Sequence, residues 1–207
     1  MRTHYYIICL LVRIGLKIFW RYKRIGAKHI PMTGGVIIAA NHAAYVDPPF
    51  IGSVCPRELF YLAKAELFSN ALFGKLLRKV NAIPITRGAF DRRAITQAVR
   101  LLKEGKALLF FPEGTRSRDG NFLEPKLGLG MIGREAGVPI VPAYISNSGN
   151  LLNGLLKRKR MIIAFDAPIP KEWMTGVPKN KEGYKSIGQE IMSRIGELKV
   201  KIEKERF

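Results

Sequence analysis

The stretch IIAANHAAYVDPP, residues 37–49, places a histidine and an aspartate five positions apart, directly after an apolar run. An imidazole titrates near neutrality, so it can take a proton from an attacking hydroxyl group. A carboxylate on its other ring nitrogen would fix the tautomer and stabilise the imidazolium. His42 and Asp47 are therefore a candidate general base and its orienting acid. Taken alone, the spacing also fits a turn or a helix cap.

A base of this kind needs a nucleophile, and the chain does not offer an obvious one. No serine lies in a Gly-x-Ser-x-Gly elbow, and neither Cys9 nor Cys55 has a motif around it. An acyl intermediate on the enzyme therefore has no evident carrier. The sequence favours direct attack by a substrate hydroxyl group on an activated acyl group.

A second polar cluster, FPEGTRS at residues 111–117, follows the apolar run KALLFF. Arg116 could hold a phosphate group through a two-pronged contact. Gly114 and Thr115 could add backbone and hydroxyl hydrogen bonds, and Glu113 could accept one from a substrate hydroxyl group. The set suits a phosphorylated polyol. The alternative is an exposed turn whose charged side chains are only solvated.

Further cations lie near these two clusters. Arg87 stands beside a glycine at the end of the strand candidate NAIPITR, so it could supply another phosphate contact. Arg92 and Arg93 follow it, but they also suit the solvated first turn of a helix. Lys126, just after the second cluster, is another candidate cation, with simple solvation as the alternative.

Two other functions find little support in the sequence. GLGMIG, residues 128–133, matches the dinucleotide pattern Gly-x-Gly-x-x-Gly, but no strand precedes it and no acidic residue lies between Glu135 and Asp166. We expect these glycines to serve close helix packing or backbone approach to a ligand. The three histidines have no neighbours suited to zinc, so we expect no metal site and no cofactor.

Strand-like and helix-like runs alternate along the chain, which predicts an α/β fold: a single domain with a mixed β-sheet flanked by helices. The polar clusters follow strand candidates, and ligands of such folds gather at the carboxyl ends of strands. We expect the strand VPIVPAYI to be interrupted by Pro139 and Pro142. A charged helix from about Lys181 to Arg206 closes the chain. Its predicted inner face consists of Ile187, Ile191, Ile195 and Leu198.

The amino-terminal segment, residues 1–28, is both apolar and basic, and we separate it from a catalytic domain at residues 29–207. Its apolar run, residues 5–20, is interrupted by Arg13 and Lys17. The run is too short and too charged to predict a spanning helix, which needs about 20 apolar residues. Four basic side chains would share one face of a helix here: Arg13, Lys17, Arg21 and Arg24. We expect a membrane-docking helix in the headgroup region, the alternative being a helix packed on its own domain.

The formal charge of +19 predicts an anionic partner. Anionic membrane lipids fit this requirement, and no module that interleaves basic and aromatic residues for nucleic acid is visible. We therefore expect anionic lipids rather than nucleic acid as the partner. The two isolated cysteines indicate a reduced environment, so we place the protein on the cytoplasmic face of the cell membrane.

Four short motifs of the chain together resemble the glycerolipid acyltransferase family of the lysophosphatidate acyltransferase type. NHAAYVD is similar to the first block of that family, His-x-x-x-x-Asp, and PITRG to the second. FPEGTRS matches the third block residue for residue, and VPIVPAYI is similar to the fourth. The blocks run in family order from about residue 41 to residue 145.

This resemblance implies acyl transfer to the sn-2 hydroxyl group of lysophosphatidate, giving phosphatidic acid. The donor would be acyl-CoA or acyl-acyl carrier protein, and no other cofactor would be needed. His42 would be the base and Asp47 its orienter. The acceptor site would be formed by Arg87, Glu113, Gly114, Thr115 and Arg116.

Several alternatives stay open at this stage. The second block continues from Arg87 as Gly-Ala-Phe-Asp-Arg-Arg, so the sequence does not decide which arginine faces phosphate. The acceptor could instead be glycerol 3-phosphate, a lipid A precursor or another lysolipid. A basic protein that binds membranes or nucleic acid without catalysis is the alternative from another class.

Overall fold

The computed structural model describes residues 3–86, 91–117, 119–148 and 160–205. Within them lie a seven-stranded sheet and helices on both of its faces, which confirms the predicted α/β class. The strands are β1 Lys23–Ile25, β2 Val36–Ala40, β3 Leu59–Lys64, β4 Ala82–Ile85, β5 Ala107–Phe110, β6 Ile140–Ile145 and β7 Ile162–Phe165. The α-helices are α1 Thr3–Gly15, α2 Asp47–Val54, α3 Ala71–Lys79, α4 Arg92–Lys103, α5 Leu127–Ala136, α6 Lys171–Gly176 and α7 Lys181–Lys204.

The sheet order places the two polar clusters side by side. The strands run β1-β7-β6-β2-β5-β3-β4, and every neighbouring pair is parallel except β6 with β7. The central strand β2 is buried along its whole length, as expected for a parallel strand covered on both faces. Ala39 of β2 pairs with Phe110 of β5. The residues that follow these two strands therefore leave the same edge of the sheet together.

Two apolar layers cover the sheet. Residues of α1 and α2 pack on one face, and residues of α4, α5 and α7 pack on the other. The predicted inner face of the carboxyl-terminal helix is confirmed, because its four apolar residues, Ile187, Ile191, Ile195 and Leu198, are all buried. The helix begins at Lys181 as predicted and ends at Lys204.

The predicted interruption of β6 by proline is wrong in one respect. Pro139 precedes the strand, but Pro142 lies within it and pairs with Ala39. A proline lacks an N–H donor, so it can contribute only its carbonyl group to a sheet. The carbonyl oxygen of Pro142 does so by accepting a hydrogen bond from the N–H of Asp166 at 2.9 Å.

The predicted basic face of the amino-terminal segment is also wrong. The helix passes into a π-helical turn, Leu16–Trp20, and stops at Arg21, which has a left-handed φ of 43°. Arg24 therefore lies in β1 rather than on a helix. Arg13 donates hydrogen bonds to the carbonyl oxygen of Ser53, and Arg24 donates one to that of Val54 at 2.9 Å.

These two arginines cap the carboxyl-terminal end of α2. The last carbonyl groups of a helix lack partners within it and form the negative end of its dipole, so a cation there stabilises the helix. Arg13 and Arg24 are thus engaged within the protein, and their guanidinium groups are not the free lipid-facing cations that the sequence suggested.

The helix α1 combines a packed face with an exposed apolar face. Tyr5 is buried, and its hydroxyl oxygen accepts a hydrogen bond from the N–H of Leu59 at 3.0 Å. On the outer side of α1 and of the π-helical turn that continues it, seven large apolar residues are between 38% and 65% exposed: Tyr6, Ile7, Leu10, Leu11, Ile14, Ile18 and Phe19. By length and composition only, Thr3–Trp20 is also long and apolar enough to cross a membrane.

The glycines of GLGMIG serve close helix packing, which is one of the two roles predicted for them. They lie in α5, where a Cβ atom on Gly130 would come within 2.0 Å of the carbonyl oxygen of Tyr184 in α7. A Cβ atom on Gly128 would meet only the ring of Phe110, at 3.4 Å.

We therefore expect Gly130→Ala to lower the stability of the protein and Gly128→Ala not to lower it. The first substitution forces two helix backbones apart, which costs about 1–3 kcal/mol for overpacking of this kind. The second gains helix propensity of up to about 1 kcal/mol. Urea unfolding of both variants measures the difference, and equal stability of the two would contradict the close approach of α5 and α7.

Candidate active site

The side chain of Asp47 is the centre of the first polar cluster. It is 0% exposed, and its Oδ2 atom accepts three hydrogen bonds. The donors are Nδ1 of His42 at 2.8 Å and the N–H groups of Ala43 at 2.7 Å and Ala44 at 2.8 Å. Asp47 is also the first residue of α2, where the helix dipole favours a negative charge.

This arrangement determines which ring nitrogen of His42 faces a substrate. An oxygen that already accepts two backbone N–H groups leaves Nδ1 to act as a further donor. The Nε2 atom then carries the free lone pair, which is the state required of a general base. The structure thus brings together the two residues that the sequence paired, at hydrogen-bonding distance.

The imidazole is also held from the neighbouring loop after β5. The His42 ring stacks on the ring of Phe111, with 4.0 Å between centroids and 19° between planes. The His42 N–H donates to Oε1 of Glu113 at 2.9 Å, and its carbonyl oxygen accepts from the N–H of Ser117 at 2.8 Å. Contacts to the ring and to both backbone groups therefore fix the position of the imidazole.

The structure gives Glu113 backbone donors, where the sequence suggested a substrate hydroxyl group as its donor, and its role toward substrate stays a prediction. Its side chain is buried, and its second oxygen, Oε2, accepts a hydrogen bond from the N–H of Leu123 at 2.9 Å. Both carboxylate oxygens are thus used by backbone donors, from His42 on one side and Leu123 on the other. Burial raises the pKa of Glu113, while the two N–H bonds oppose that rise. In the structure Glu113 links the backbone of His42 to that of Leu123.

Gly114 also differs from its predicted role. Its N–H donates to the carbonyl oxygen of Phe111 at 3.1 Å, so it is not free for a ligand. Its φ of 68° lies in the left-handed region, which glycine adopts without steric cost. A Cβ atom there would also lie 3.2 Å from Cγ of Lys126. Gly114 therefore serves the turn itself.

The remaining side chains of this loop reach solvent. Thr115 and Lys126 are exposed, and the backbone N–H of Lys126 donates to the carbonyl oxygen of Pro112 at 2.8 Å. Arg116 is half-buried, with its Cζ atom 3.5 Å from the centre of the Tyr45 ring. No described residue gives Arg116 a hydrogen bond or an ion pair, so its donors are available to a ligand.

The three arginines that follow β4, Arg87, Arg92 and Arg93, divide into two groups. Arg87 lies outside the described residues, so its phosphate role stays a prediction. Arg92 and Arg93 are exposed in the first turn of α4, whose preceding residue Asp91 accepts a hydrogen bond from the N–H of Ala94 at 3.0 Å. Their position matches the alternative interpretation, in which they are solvated residues in the first turn of a helix. The described chain also shows no group of three or more His, Cys, Asp and Glu side chains that could hold a metal ion.

Three positioning residues escaped the sequence analysis. Asn41 donates from Nδ2 to the carbonyl oxygen of Ile145 at 3.1 Å and accepts from its N–H at 2.8 Å, which ties the end of β2 to β6. The Phe111 ring stacks on His42, and the Tyr45 ring contacts Arg116. Phe111 could be recognised in the sequence as an aromatic residue directly after β5. Its contact with His42 depends on the register of β5 against β2.

Comparison with known proteins identifies similar chains. The family model described as Acyltransferase matches residues 21–146, which include both clusters. The chain is 29% identical to the 1-acyl-sn-glycerol-3-phosphate acyltransferase of Bacillus subtilis, over 95% of this chain and 94% of that protein. It is 39% identical to the lyso-ornithine lipid O-acyltransferase of Pseudomonas aeruginosa, over 52% of this chain and 41% of that protein.

A solved structure is similar as well. The crystal structure of the 1-acyl-sn-glycerophosphate (LPA) acyltransferase PlsC from Thermotoga maritima matches with a TM-score of 0.71 and 26% sequence identity. The match covers 93% of this chain and 78% of that chain.

The burial of Glu113 predicts a pH dependence of stability. Because its pKa is raised by folding, the folded state holds a proton that the unfolded state releases as the pH rises above 4.5, the ordinary value. The stabilisation by this carboxyl group is therefore lost as the pH rises from 4.5 through the pKa of Glu113 in the folded protein. Over that interval, we expect wild-type protein to lose stability relative to Glu113→Gln.

Urea unfolding at a series of pH values measures this trend. Glu124→Gln, which changes an exposed glutamate of the same segment, is the matched control and should follow wild type throughout. A gain in wild-type stability relative to Glu113→Gln over the same interval would contradict the raised pKa.

Proposed function

The chain belongs to the acyltransferase family, and from this premise we propose that it acylates the sn-2 hydroxyl group of 1-acyl-sn-glycerol 3-phosphate. The donor is an acyl thioester, acyl-CoA or acyl-acyl carrier protein, and the product is phosphatidic acid. One observation carries the proposal: adjoining loops hold a base, His42, and an available cation, Arg116. A hydroxyl nucleophile and a phosphate group require such a pair. The activity named for the Bacillus subtilis relative supports this acceptor.

The reaction proceeds without an acyl-enzyme. Nε2 of His42 takes the proton of the acceptor hydroxyl group while its oxygen attacks the thioester carbonyl carbon. The C–S bond then breaks, and the thiol leaves with the proton from the imidazolium. Asp47, hydrogen-bonded to Nδ1 at 2.8 Å, stabilises the imidazolium between the two proton transfers. The acyl group thus passes to the acceptor oxygen, and the proton of the acceptor hydroxyl group ends on the departing thiol.

The cysteines of the chain do not compete as nucleophiles. Cys55 is buried in the apolar layer under α1 and α2, and burial raises the pKa of its thiol to about 11. Cys9 lies on α1, where its Sγ atom is 3.8 Å from the carbonyl oxygen of Gly52. A thiol with a raised pKa supplies little thiolate at neutral pH. The acceptor hydroxyl group is therefore the nucleophile.

The exposed apolar face of α1 supports attachment to a membrane. Seven large apolar side chains in one amphipathic segment exceed what a water-exposed helix normally shows. The net charge of +19 favours an anionic bilayer, such as the cytoplasmic face of a cell membrane. In this arrangement α1 lies in the interface, with its packed face held against α2.

A second acceptor is supported by one comparison. The Pseudomonas aeruginosa relative, named for lyso-ornithine lipid, has the higher identity, although over about half of this chain. Ornithine carries a carboxylate, and Arg116 can bind a carboxylate as well as a phosphate, so the free guanidinium group does not separate these acceptors. The extent of the matches favours lysophosphatidate, because the Bacillus subtilis relative matches over 95% of this chain and the Pseudomonas aeruginosa relative over 52%.

The first test is product formation by purified protein in a neutral detergent. The donor is oleoyl-CoA, and the acceptors are lysophosphatidate, glycerol 3-phosphate, lyso-ornithine lipid and 1-monoacylglycerol. Mass spectrometry should detect phosphatidic acid as the main product. His42→Ala should reduce the rate by about 10²- to 10⁴-fold, the usual contribution of a general base.

His4→Ala, on the exposed part of α1, is the matched control and should retain the wild-type rate. Near-normal turnover by folded His42→Ala would refute the base assignment. Failure with both oleoyl-CoA and oleoyl-acyl carrier protein on every acceptor would refute the proposed function and favour a protein that only binds membranes.

The membrane proposal has its own test. Replacing Leu10, Leu11 and Ile18 together by serine removes exposed apolar surface without touching the packed face of α1. Each such side chain contributes about 1.5–3 kcal/mol when fully buried, so binding to phosphatidylglycerol vesicles should weaken at least about tenfold. Flotation assays measure this loss, with Val200→Ser, an exposed position on α7, as control. Full retention of the triple variant on vesicles would overturn the docking role of α1.

A further inference from the structure

Tyr45 is an exposed aromatic residue inside the catalytic loop. It lies between His42 and Asp47, and its side chain is 74% exposed. The turn around Asp47 is fixed by hydrogen bonds from the N–H groups of Ala43 and Ala44. The residue that follows them is thereby placed at the surface, where its ring contacts Arg116.

The contact between Tyr45 and Arg116 is a face-on cation–π stack. The Cζ atom of Arg116 is 3.5 Å from the ring centroid, well within the range of about 6 Å for this interaction. A guanidinium group stacked in this way keeps its N–H donors directed outward in its own plane. Within the described chain those donors have no partner, so the ring covers a face of Arg116 and leaves its hydrogen-bonding edge free.

The two loops that carry this stack are joined at His42 itself. Glu113 accepts from the His42 N–H at 2.9 Å, and the Ser117 N–H donates to the His42 carbonyl oxygen at 2.8 Å. Arg116 directly precedes Ser117, and Tyr45 follows His42 by three residues. The two hydrogen bonds at His42 therefore hold together the loops that carry the imidazole, the Tyr45 ring and the Arg116 guanidinium group.

We propose that Tyr45 is a positioning residue that pre-orders the Arg116 guanidinium group for the phosphate of the acceptor. An unrestrained arginine side chain loses rotamer entropy when it is fixed, and a residue that holds it in place beforehand reduces that loss on binding. The inference rests on the proposed function, because it takes a phosphate-bearing acceptor as the ligand of Arg116.

The kinetic test compares Tyr45→Leu with Tyr45→Phe in neutral detergent, where bilayer docking plays no part. The leucine variant loses the ring, so its KM for lysophosphatidate should rise about three- to tenfold, with kcat within about twofold of wild type. The phenylalanine variant keeps the ring and should retain the wild-type KM. Trp173→Leu removes a half-exposed aromatic residue on α6 and should change neither constant.

A double-mutant cycle identifies the partner of the ring. In an Arg116→Ala background, Tyr45→Leu should raise the KM no further, because the group that the ring holds is gone. Independent effects of the two substitutions would overturn the proposal. So would an equal fall of kcat with lysophosphatidate and with phosphate-free 1-monoacylglycerol, since that result would place the effect of Tyr45 on His42.

A binding measurement separates this proposal from the proposed function. Titration of glycerol 3-phosphate, followed by the NMR signal of the Arg116 Nε–H group, needs no turnover. Weaker binding by Tyr45→Leu than by Tyr45→Phe supports the positioning role even if wild-type protein transfers no acyl group. Equal affinity of the two variants refutes it, whatever the assays of acyl transfer show.

Discussion

The site depends on one oxygen atom, Oδ2 of Asp47. A carboxylate removed from water is costly unless it is paired and hydrogen-bonded, and this one gains three donors within a few residues of the chain. The other oxygen, Oδ1, is buried without a hydrogen-bond partner among the described residues, so Oδ2 provides all of the polar compensation. The same oxygen shapes the turn after β2 and selects the tautomer of His42, and the residue that carries it is the first of α2. These three features therefore cannot vary independently of one another.

The sheet extends this local order to the rest of the site. Pairing of β2 with β5 sends two loops out of the same edge, and Glu113 and Ser117 then bind the two backbone groups of His42. Asn41 makes the corresponding connection to β6. Each link joins segments that are distant in sequence, so His42 and Arg116 come to a fixed spacing through the backbone of their loops. Rigidity of this kind is what positioned acid–base chemistry requires.

Interactions within a few residues were predictable, and interactions across the sheet were not. The apolar runs predicted β2 and β5, and the spacing of His42 and Asp47 predicted their hydrogen bond. The role of Glu113 depends on a contact across 71 residues, so its residue type suggested a ligand to substrate where the fold uses it as a link. The helix α2 was missed because it is short, although Pro48 and Pro49 in its first turn were a usable signal. Arg24 was misplaced because a helical wheel cannot anticipate the left-handed residue that ends the helix at Arg21. Arg13 lies on the helix as predicted, but its partner, the carbonyl group of Ser53, is 40 residues away in sequence.

The capping of α2 by Arg13 and Arg24 has a practical consequence for anyone who wants the enzyme free of lipid. A usual approach removes the apolar amino terminus as a detachable anchor. Here that segment is also a structural support, because α2 begins at Asp47 and ends on guanidinium groups that the segment supplies. Cutting it away would leave the carbonyl groups of Ser53 and Val54 without these donors and expose the apolar layer beneath. A soluble form of the enzyme is better obtained by redesigning the outer surface of α1 than by shortening the chain.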